Sequence, residues 1–172
     1  MTFDDTHIPA FQLPMHSRIW IYQASRAFTP EEETLIRQRG EAFISEWAAH
    51  GTKLMAELQV VLHRFIILAV DEEVAQASGC SIDKSFRFVQ QLQQELGVSL
   101  MDRLQIAYWH EPTQQIRSFA LASLEQVLRN GEIKPGILVF DNTVQRLGDL
   151  NTRWVRPLGQ TWLNARIPDK VE

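Results

Sequence analysis

The stretch Ser78-Gly79-Cys80-Ser81-Ile82-Asp83 combines hydroxyls, a thiol and a carboxylate with a glycine. The apolar spacing after it predicts a helix from about Ser81 to Leu96, which Gly97 ends. The first N–H groups of a helix lack partners inside it, and the helix dipole is positive there, so this end favours an anion. The same field favours the thiolate form of Cys80, which is the nucleophilic form.

Two interpretations of this stretch compete. In the structural one, Ser81 caps the helix, Gly79 permits the turn, and Cys80 is a small buried side chain. This is the default interpretation, because free cysteine is among the most buried residue types. In the functional one, Ser78, Gly79 and Ser81 bind an anion, or Cys80 is a nucleophile.

A cysteine nucleophile needs a base, usually a histidine that a third group holds in place. Cys80, His50 and Asp83 are therefore the candidate catalytic residues, with Asp71 as another acid that precedes the loop. The predicted topology does not bring His50 or Asp71 to a defined place beside the thiol. Four of the histidines, at positions 16, 50, 63 and 110, are too scattered for a zinc motif, so no metal site is predicted.

Six elements are predicted up to residue 110, in the order strand, helix, strand, strand, helix, strand. The strongest signals are the capping box of Thr29-Pro30-Glu31-Glu32 and the wholly apolar strand Phe65-Ile66-Ile67-Leu68-Ala69-Val70. The expected ranges are 17–23, 29–51, 54–62, 65–70, 81–96 and 103–109. This order is typical of an α+β, ferredoxin-like split βαβ fold (βαββαβ), an antiparallel sheet whose first and third strands are central.

Beyond this 17–110 core, a C-terminal α/β extension is expected over 111–172. It would contain a helix at 118–129, a strand at 137–140 and a helical segment at 147–158. Residues 1–16 form an N-terminal arm, and no linker divides the chain, so 1–172 is predicted to be a single α+β domain. If the first and fourth strands pair, Trp20 and Tyr22 lie beside Tyr108 and Trp109 and line a ligand cavity.

The composition and the motifs that are missing argue against several classes of function. The formal net charge of −4 argues against nucleic-acid binding, which needs a basic face. No apolar run is long enough to insert into a membrane, and the N-terminus lacks the pattern of a secretory signal. A single cysteine is typical of a reducing cytoplasm. Phosphate-loop, dinucleotide, zinc-protease and serine-elbow motifs are all missing from the sequence, so no cofactor is expected.

Four parts of the chain carry a family resemblance: Trp20-Ile21-Tyr22-Gln23, Phe43 and Trp47 with His50-Gly51, Asp71-Glu72, and the Ser78–Asp83 stretch. Together they resemble an uncharacterised bacterial family, found mainly in Bacteroidetes, whose members are labelled hypothetical protein or "ABC transporter ATPase". The resemblance spans most of the chain and implies no particular activity. Because the phosphate loop of an ATPase is missing, the label favours a transporter partner over an ATPase domain.

The leading functional prediction is a cytoplasmic domain that binds a small anionic ligand or a protein partner at Ser78–Asp83. The first alternative is a small cysteine-dependent enzyme or redox thiol protein that uses Cys80. The second is an assembly module, such as a homodimer joined through an exposed strand edge or through aromatic residues.

Overall fold

The structure is a computed structural model that describes residue 3 and residues 8–168. Its described residues divide into two compact units. The N-terminal unit comprises residues 8–102 with 144–149, and the C-terminal unit comprises 103–143 and 150–168 with Phe3. Part of the predicted arm, at positions 1, 2 and 4–7, lies outside the described residues. That the chain is one domain stays a prediction.

Both units mix helices with antiparallel sheets, so the α+β class is confirmed. The strands are β1 (Arg18–Gln23), β2 (Ala48–Ala49), β3 (Thr52–Lys53), β4 (Met55–Val61), β5 (Phe65–Asp71), β6 (Gln105–His110), β7 (Gln115–Ala120), β8 (Leu138–Phe140) and β9 (Val155–Pro157). The α-helices are α1 (Pro30–Glu46), α2 (Gly79–Leu96) and α3 (Leu124–Arg129). Within the described part of the chain, no helix has both the length and the apolarity needed to span a membrane.

The main sheet of the N-terminal unit has the order β1-β5-β4 and is antiparallel throughout. As its uninterrupted apolar sequence predicts, β5 is the central strand, and all seven of its residues are buried. Ile66 and Leu68 on β5 pair with Val60 and Leu58 on β4, respectively, and this face carries the core beneath α1 and α2. α1 comes so close to β4 that a Cβ on Gly40 would lie 3.1 Å from Leu58 methyl carbons.

The turn between β4 and β5 occurs where it was predicted, although no glycine forms it. Leu62 and His63 have positive φ angles of 53° and 54°, a region that non-glycine residues seldom occupy. The strain is opposed by hydrogen bonds to the preceding loop. The N–H of Phe28 donates to the His63 carbonyl at 2.7 Å, and the buried Arg64 side chain donates from Nε to the Ala24 carbonyl at 3.1 Å.

α1 begins as predicted, with a capping box between Thr29 and Glu32 and with Pro30 in its first turn. Its predicted end at His50-Gly51 is wrong, because the helix ends at Glu46 and Trp47 takes an extended conformation. The two strands β2 and β3 then form a short hairpin. His50 and Gly51 occupy its turn with φ angles of 50° and 79°, so this glycine serves a hairpin and not a helix end.

The C-terminal unit contains a four-stranded antiparallel sheet of order β7-β6-β8-β9. Its core includes Ile106, Phe119, Leu128, Val139 and Leu158, which come from β6, β7, α3, β8 and a short 3₁₀ turn. The strand predicted to be the fourth of the main sheet is β6, and its neighbours are β7 and β8.

The ferredoxin-like topology is therefore not confirmed. β1 pairs with β5 alone among the named strands that the structure describes, which leaves it at an edge and not at the centre. β6 and β7 follow each other closely and pair over six residues from Gln105 to His110. Pairing between neighbours in the sequence closes only a short loop, so it loses less chain entropy than pairing with a distant strand.

Two later elements also differ from the expectation. Residues predicted to begin a helix at Ser118 belong to β7, and α3 is limited to Leu124–Arg129. The helical segment predicted over 147–158 is a 3₁₀ turn at Leu147–Asp149, a π-helix at Leu150–Trp154 and then β9. Leu147, Leu150, Trp154 and Leu158 are nonetheless all buried, so the spacing identified core residues but not their conformation.

Candidate functional site

The start of α2 follows a loop that leaves the end of central strand β5. Ser78 is the N-cap of α2, with extended φ and ψ angles of −86° and 165°. Its Oγ accepts the N–H of Ser81 at 3.2 Å, and the hydroxyl of Ser81 donates back to the Ser78 carbonyl at 2.8 Å. The capping residue is therefore Ser78, and the structural interpretation that placed Ser81 in this role is wrong.

The side chains of Ser81 and Ser85 point away from solvent. Both residues are buried, and the hydroxyl of Ser85 donates to the Ile82 carbonyl at 2.7 Å. The first turn of α2 is also fixed from the core, since Trp47 Nε1 donates to the Ser81 carbonyl at 2.8 Å in a buried hydrogen bond. Of the predicted anion ligands, Ser78 and Gly79 thus remain at the surface end of the helix, whereas Ser81 lies beneath them.

Cys80 is exposed and unbonded, so the expectation that it is a buried side chain is wrong. The adjacent Gly79 is also exposed, and a Cβ added to it would meet nothing within 4 Å. Its φ angle is not positive, so the backbone at this point does not require glycine. Among the described residues, no group accepts a hydrogen bond from the N–H of Gly79 or Cys80.

The predicted catalytic set is not assembled in the described part of the chain. His50 is exposed at the tip of the β2–β3 hairpin, and it forms no hydrogen bond or ion pair with Cys80. Asp83 is one turn further along α2, where it pairs with Arg87 at 2.9 Å. Asp71 accepts a hydrogen bond from His16 at 3.0 Å, not from His50.

Trp20 and Tyr22 belong to the core of the N-terminal unit. On β1 they are paired with Leu68 and Ile66 of β5, respectively, and both pack in the cluster beneath the helices. Their predicted neighbours Tyr108 and Trp109 lie on β6, in the other sheet. The pairing of the first and fourth strands, on which this cavity was predicted, does not occur among the described strands, and the ligand-binding role of Trp20 and Tyr22 stays a prediction.

A second group of polar side chains lies where β5 ends. His16 Nε2 is 3.0 Å from Asp71 Oδ1 and 3.5 Å from Glu73 Oε2. The hydrogen bond from His16 lowers the pKa of Asp71, as does the backbone N–H of Glu73. No sequence motif links these three residues, because His16 precedes Asp71 by 55 residues.

An open groove of about 480 Å³ runs between α1 and β4. Its charged lining is mixed, with Arg37 and Glu41 from α1, Lys53 from β3 and Glu57 from β4. In the described residues β4 is an edge strand of the main sheet, with Met55 at its exposed end. Assembly through a strand edge stays a prediction, and β4 is an edge to which it would apply.

No protein-family model, curated protein or solved structure matches this chain. The bacterial family resemblance stays a prediction from the residues that carry it.

Proposed function

We propose that the protein is a cytoplasmic binding protein that takes a small oxyanion at the N-terminal end of α2. One observation carries the proposal: the N–H groups of Gly79 and Cys80 point out of an 18-residue helix whose first turn contains no acidic residue. Unpaired helix N–H groups and the positive end of the helix dipole together attract a phosphate, sulfate or carboxylate group.

The neighbouring side chains favour the same ligand class. The Oγ of Ser78 already accepts one hydrogen bond, while its O–H has no acceptor among the described residues and is available to donate. Asp83 would repel an anion, but its charge is balanced by Arg87 at 2.9 Å. Lys84 is exposed and adds a positive charge to the same end of the helix.

A direct test is an NMR titration of the ¹⁵N-labelled protein with sulfate and phosphate, against chloride at matched ionic strength. We expect saturable shifts of the Gly79 and Cys80 amides. The amides of Glu31 and Glu32 at the start of α1 serve as internal controls, since acidic side chains already occupy that end. Shifts that are linear in concentration, or equal at both helices, would overturn the proposal.

A charge variant makes the test specific. Cys80→Glu puts a carboxylate into the first turn, where it competes for the open N–H groups and repels the ligand. Gln91→Glu is the matched control, because it adds the same charge at an exposed position further along α2. Sulfate affinity should fall in the first variant and persist in the second. Equal affinity in both would show that the helix start is not the site.

Exposure of Cys80 supports a second candidate, a thiol protein that reacts at the same helix end. The test is the rate of alkylation by iodoacetamide as a function of pH. A midpoint well below the usual value of about 8.5 supports thiol chemistry. A midpoint at or above that value removes it. His50→Gln should leave the midpoint unchanged, because His50 forms no hydrogen bond or ion pair with Cys80.

A further inference from the structure

The end of β5 holds three side chains that suit a metal ion better than an anion. Asp71 is the last residue of β5, Glu73 follows it in the loop, and His16 arrives from the segment before β1. One nitrogen and two carboxylate oxygens, one from each residue, lie within 4.8 Å of one another. We propose that His16, Asp71 and Glu73 bind a divalent transition-metal cation of the Zn²⁺ type.

The distances fit direct coordination. His16 Nε2 lies 3.0 Å from Asp71 Oδ1 and 3.5 Å from Glu73 Oε2. Zn²⁺ bonds of about 2.0–2.2 Å place neighbouring ligand atoms about 3.0 Å apart at right angles and about 3.4 Å apart at tetrahedral angles. One ion can therefore reach all three atoms with only small side-chain rotations, since the third separation is also within 4.8 Å.

The backbone beneath the cluster is held in place on both sides. The carbonyl of His16 accepts a hydrogen bond from Arg146 Nη1 at 2.7 Å, which fixes the segment before β1. The N–H of Glu73 donates to Asp71 Oδ1 at 3.0 Å, so the first loop residues are folded back on the end of β5. Pre-organised ligands lose less conformational entropy when an ion binds, which raises the affinity of the site.

The local charges leave two carboxylates for the ion. Glu72 lies between Asp71 and Glu73, but it pairs with Arg18 at 3.6 Å and accepts the N–H of Ala77 at 3.1 Å. In the described structure Arg18 therefore pairs with Glu72 and leaves the carboxylates of Asp71 and Glu73 to the ion. Their two negative charges match the charge of a divalent cation.

The donor set selects the class of metal. Imidazole nitrogen suits zinc and the other late transition metals, whereas Mg²⁺ and Ca²⁺ prefer oxygen ligands alone. The side chains of His16 and Glu73 are 44% and 76% exposed, so one side of the cluster faces solvent. Water would complete the coordination there, as in three-ligand zinc sites with an open position. This site is independent of the anion site proposed at α2.

Isothermal titration of the tag-free full chain with Zn²⁺, and separately with Mg²⁺, tests the proposal. Glu73→Gln is the main variant, because this exposed side chain can change without loss of a core contact. His16→Gln keeps an N–H that can donate to Asp71 while it removes the imidazole. Glu72→Gln is the matched control, since it makes the same change one residue away from the predicted ligand.

We expect saturable Zn²⁺ binding that is stronger than Mg²⁺ binding and that weakens at least about tenfold in Glu73→Gln and His16→Gln, since even outer-shell changes weaken metal sites about 10–100-fold. Glu72→Gln should bind as the wild type does. Co²⁺ should broaden the ring signals of His16 before those of His50 and His110. No saturable binding, unchanged affinity in Glu73→Gln, equal loss in Glu72→Gln, or broadening that does not begin at His16 would overturn the site. If His16→Gln fails to fold, Glu73→Gln alone decides.

Discussion

The starts of α1 and α2 differ in how the N–H groups of the first helical turn find hydrogen-bond acceptors. At α1, Thr29 accepts the N–H of Glu32 at 3.2 Å, the Glu32 carboxylate accepts the N–H of Thr29 at 2.9 Å, and Pro30 contributes no N–H. Arg26 then holds the same carboxylate at 2.8 Å. At α2, Ser78 caps the N–H of Ser81 and nothing among the described residues accepts those of Gly79 and Cys80.

The two helix starts also differ in the charge of the side chains in their first turns. Three glutamates, at positions 31, 32 and 33, are in the first turn of α1 and neutralise its positive end. The first turn of α2 contains no acidic residue. Both starts are capped, but they differ in the N–H groups that lack an acceptor among the described residues. At α2 there are two in succession, those of Gly79 and Cys80, whereas at α1 there is one, that of Glu31, and the three glutamates offset the helix dipole there. We therefore expect an anion to bind at the start of α2 and not at the start of α1.

The largest expected effect on stability comes from loss of the buried hydrogen bond between Trp47 and the first turn of α2. Trp47→Phe removes the Nε1 donor from the buried carbonyl of Ser81 and leaves space in the core. A lost hydrogen bond costs about 0.5–1.5 kcal/mol, and the lost packing of a fully buried side chain adds to this, so we expect a loss of about 2–4 kcal/mol of unfolding free energy. Urea denaturation measures it. Trp162→Phe, at a partly exposed position, should change stability by less than about 0.5 kcal/mol. Equal losses in the two variants would contradict the role assigned to Trp47.

Removal of the two caps compares the helix starts directly. Ser78→Ala leaves the N–H of the buried Ser81 without an acceptor, and α2 has no second device, so we expect a loss of about 1–2 kcal/mol. Thr29→Ala should cost less, about 0.5–1 kcal/mol, because Glu32 and Pro30 still support α1. Thermal or urea unfolding in chloride gives both values.

Sulfate adds the decisive control to this pair. It should recover part of the stability that Ser78→Ala loses and none of the stability that Thr29→Ala loses, since the anion site is proposed at the start of α2 and not at that of α1. Equal recovery in the two variants would indicate a general salt effect and would remove the contrast.

The pH dependence of stability should identify the α1 cap. Hydrogen bonds from Arg26 and from the N–H of Thr29 lower the pKa of Glu32 to about 2 in the folded protein, against an ordinary value of 4.5. Because the folded pKa is depressed, this carboxylate stabilises the fold above pH 4.5, and its contribution is lost as the pH falls from 4.5 to about 2. Wild type and Glu32→Gln should therefore differ in stability near neutral pH and converge in acid, and the difference near neutral pH should be smaller than the loss in Ser78→Ala. A difference that is constant with pH would be inconsistent with this account.

The smallest expected effect comes from a substitution that gives α2 a proline in its first turn, as α1 has. Gly79→Pro places proline at the first helical position, after the extended Ser78, where its ring is tolerated. It should stabilise the fold by about 0.4–1 kcal/mol, because it restricts the unfolded chain, and it should weaken sulfate binding, because it removes one N–H. The measurements are thermal unfolding and sulfate titration. Stability that rises while sulfate affinity stays constant would mean that this N–H is not a ligand.

The sequence predicts those features correctly that depend on a few neighbouring residues. The capping box at Thr29 and the end of α2 at Gly97, with a φ angle of 63°, are made by groups that are neighbours in sequence. The apolar run from Phe65 placed β5 at the centre of its sheet, because only a strand covered on both faces can use such a sequence. The end of α1 was misplaced since Gly51 fits a hairpin turn as well as a helix end.

Periodicity and caps act over three or four residues, so the α+β class, the helix α2 and the loop before it could be predicted from local patterns. The pairing of β6 with β7 and not with β1, the exposure of Cys80 and the contact of His16 with Asp71 across 55 residues could not. These outcomes depend on which distant surfaces are buried together, and the free energy of that choice is spread over many contacts that no short stretch of sequence contains.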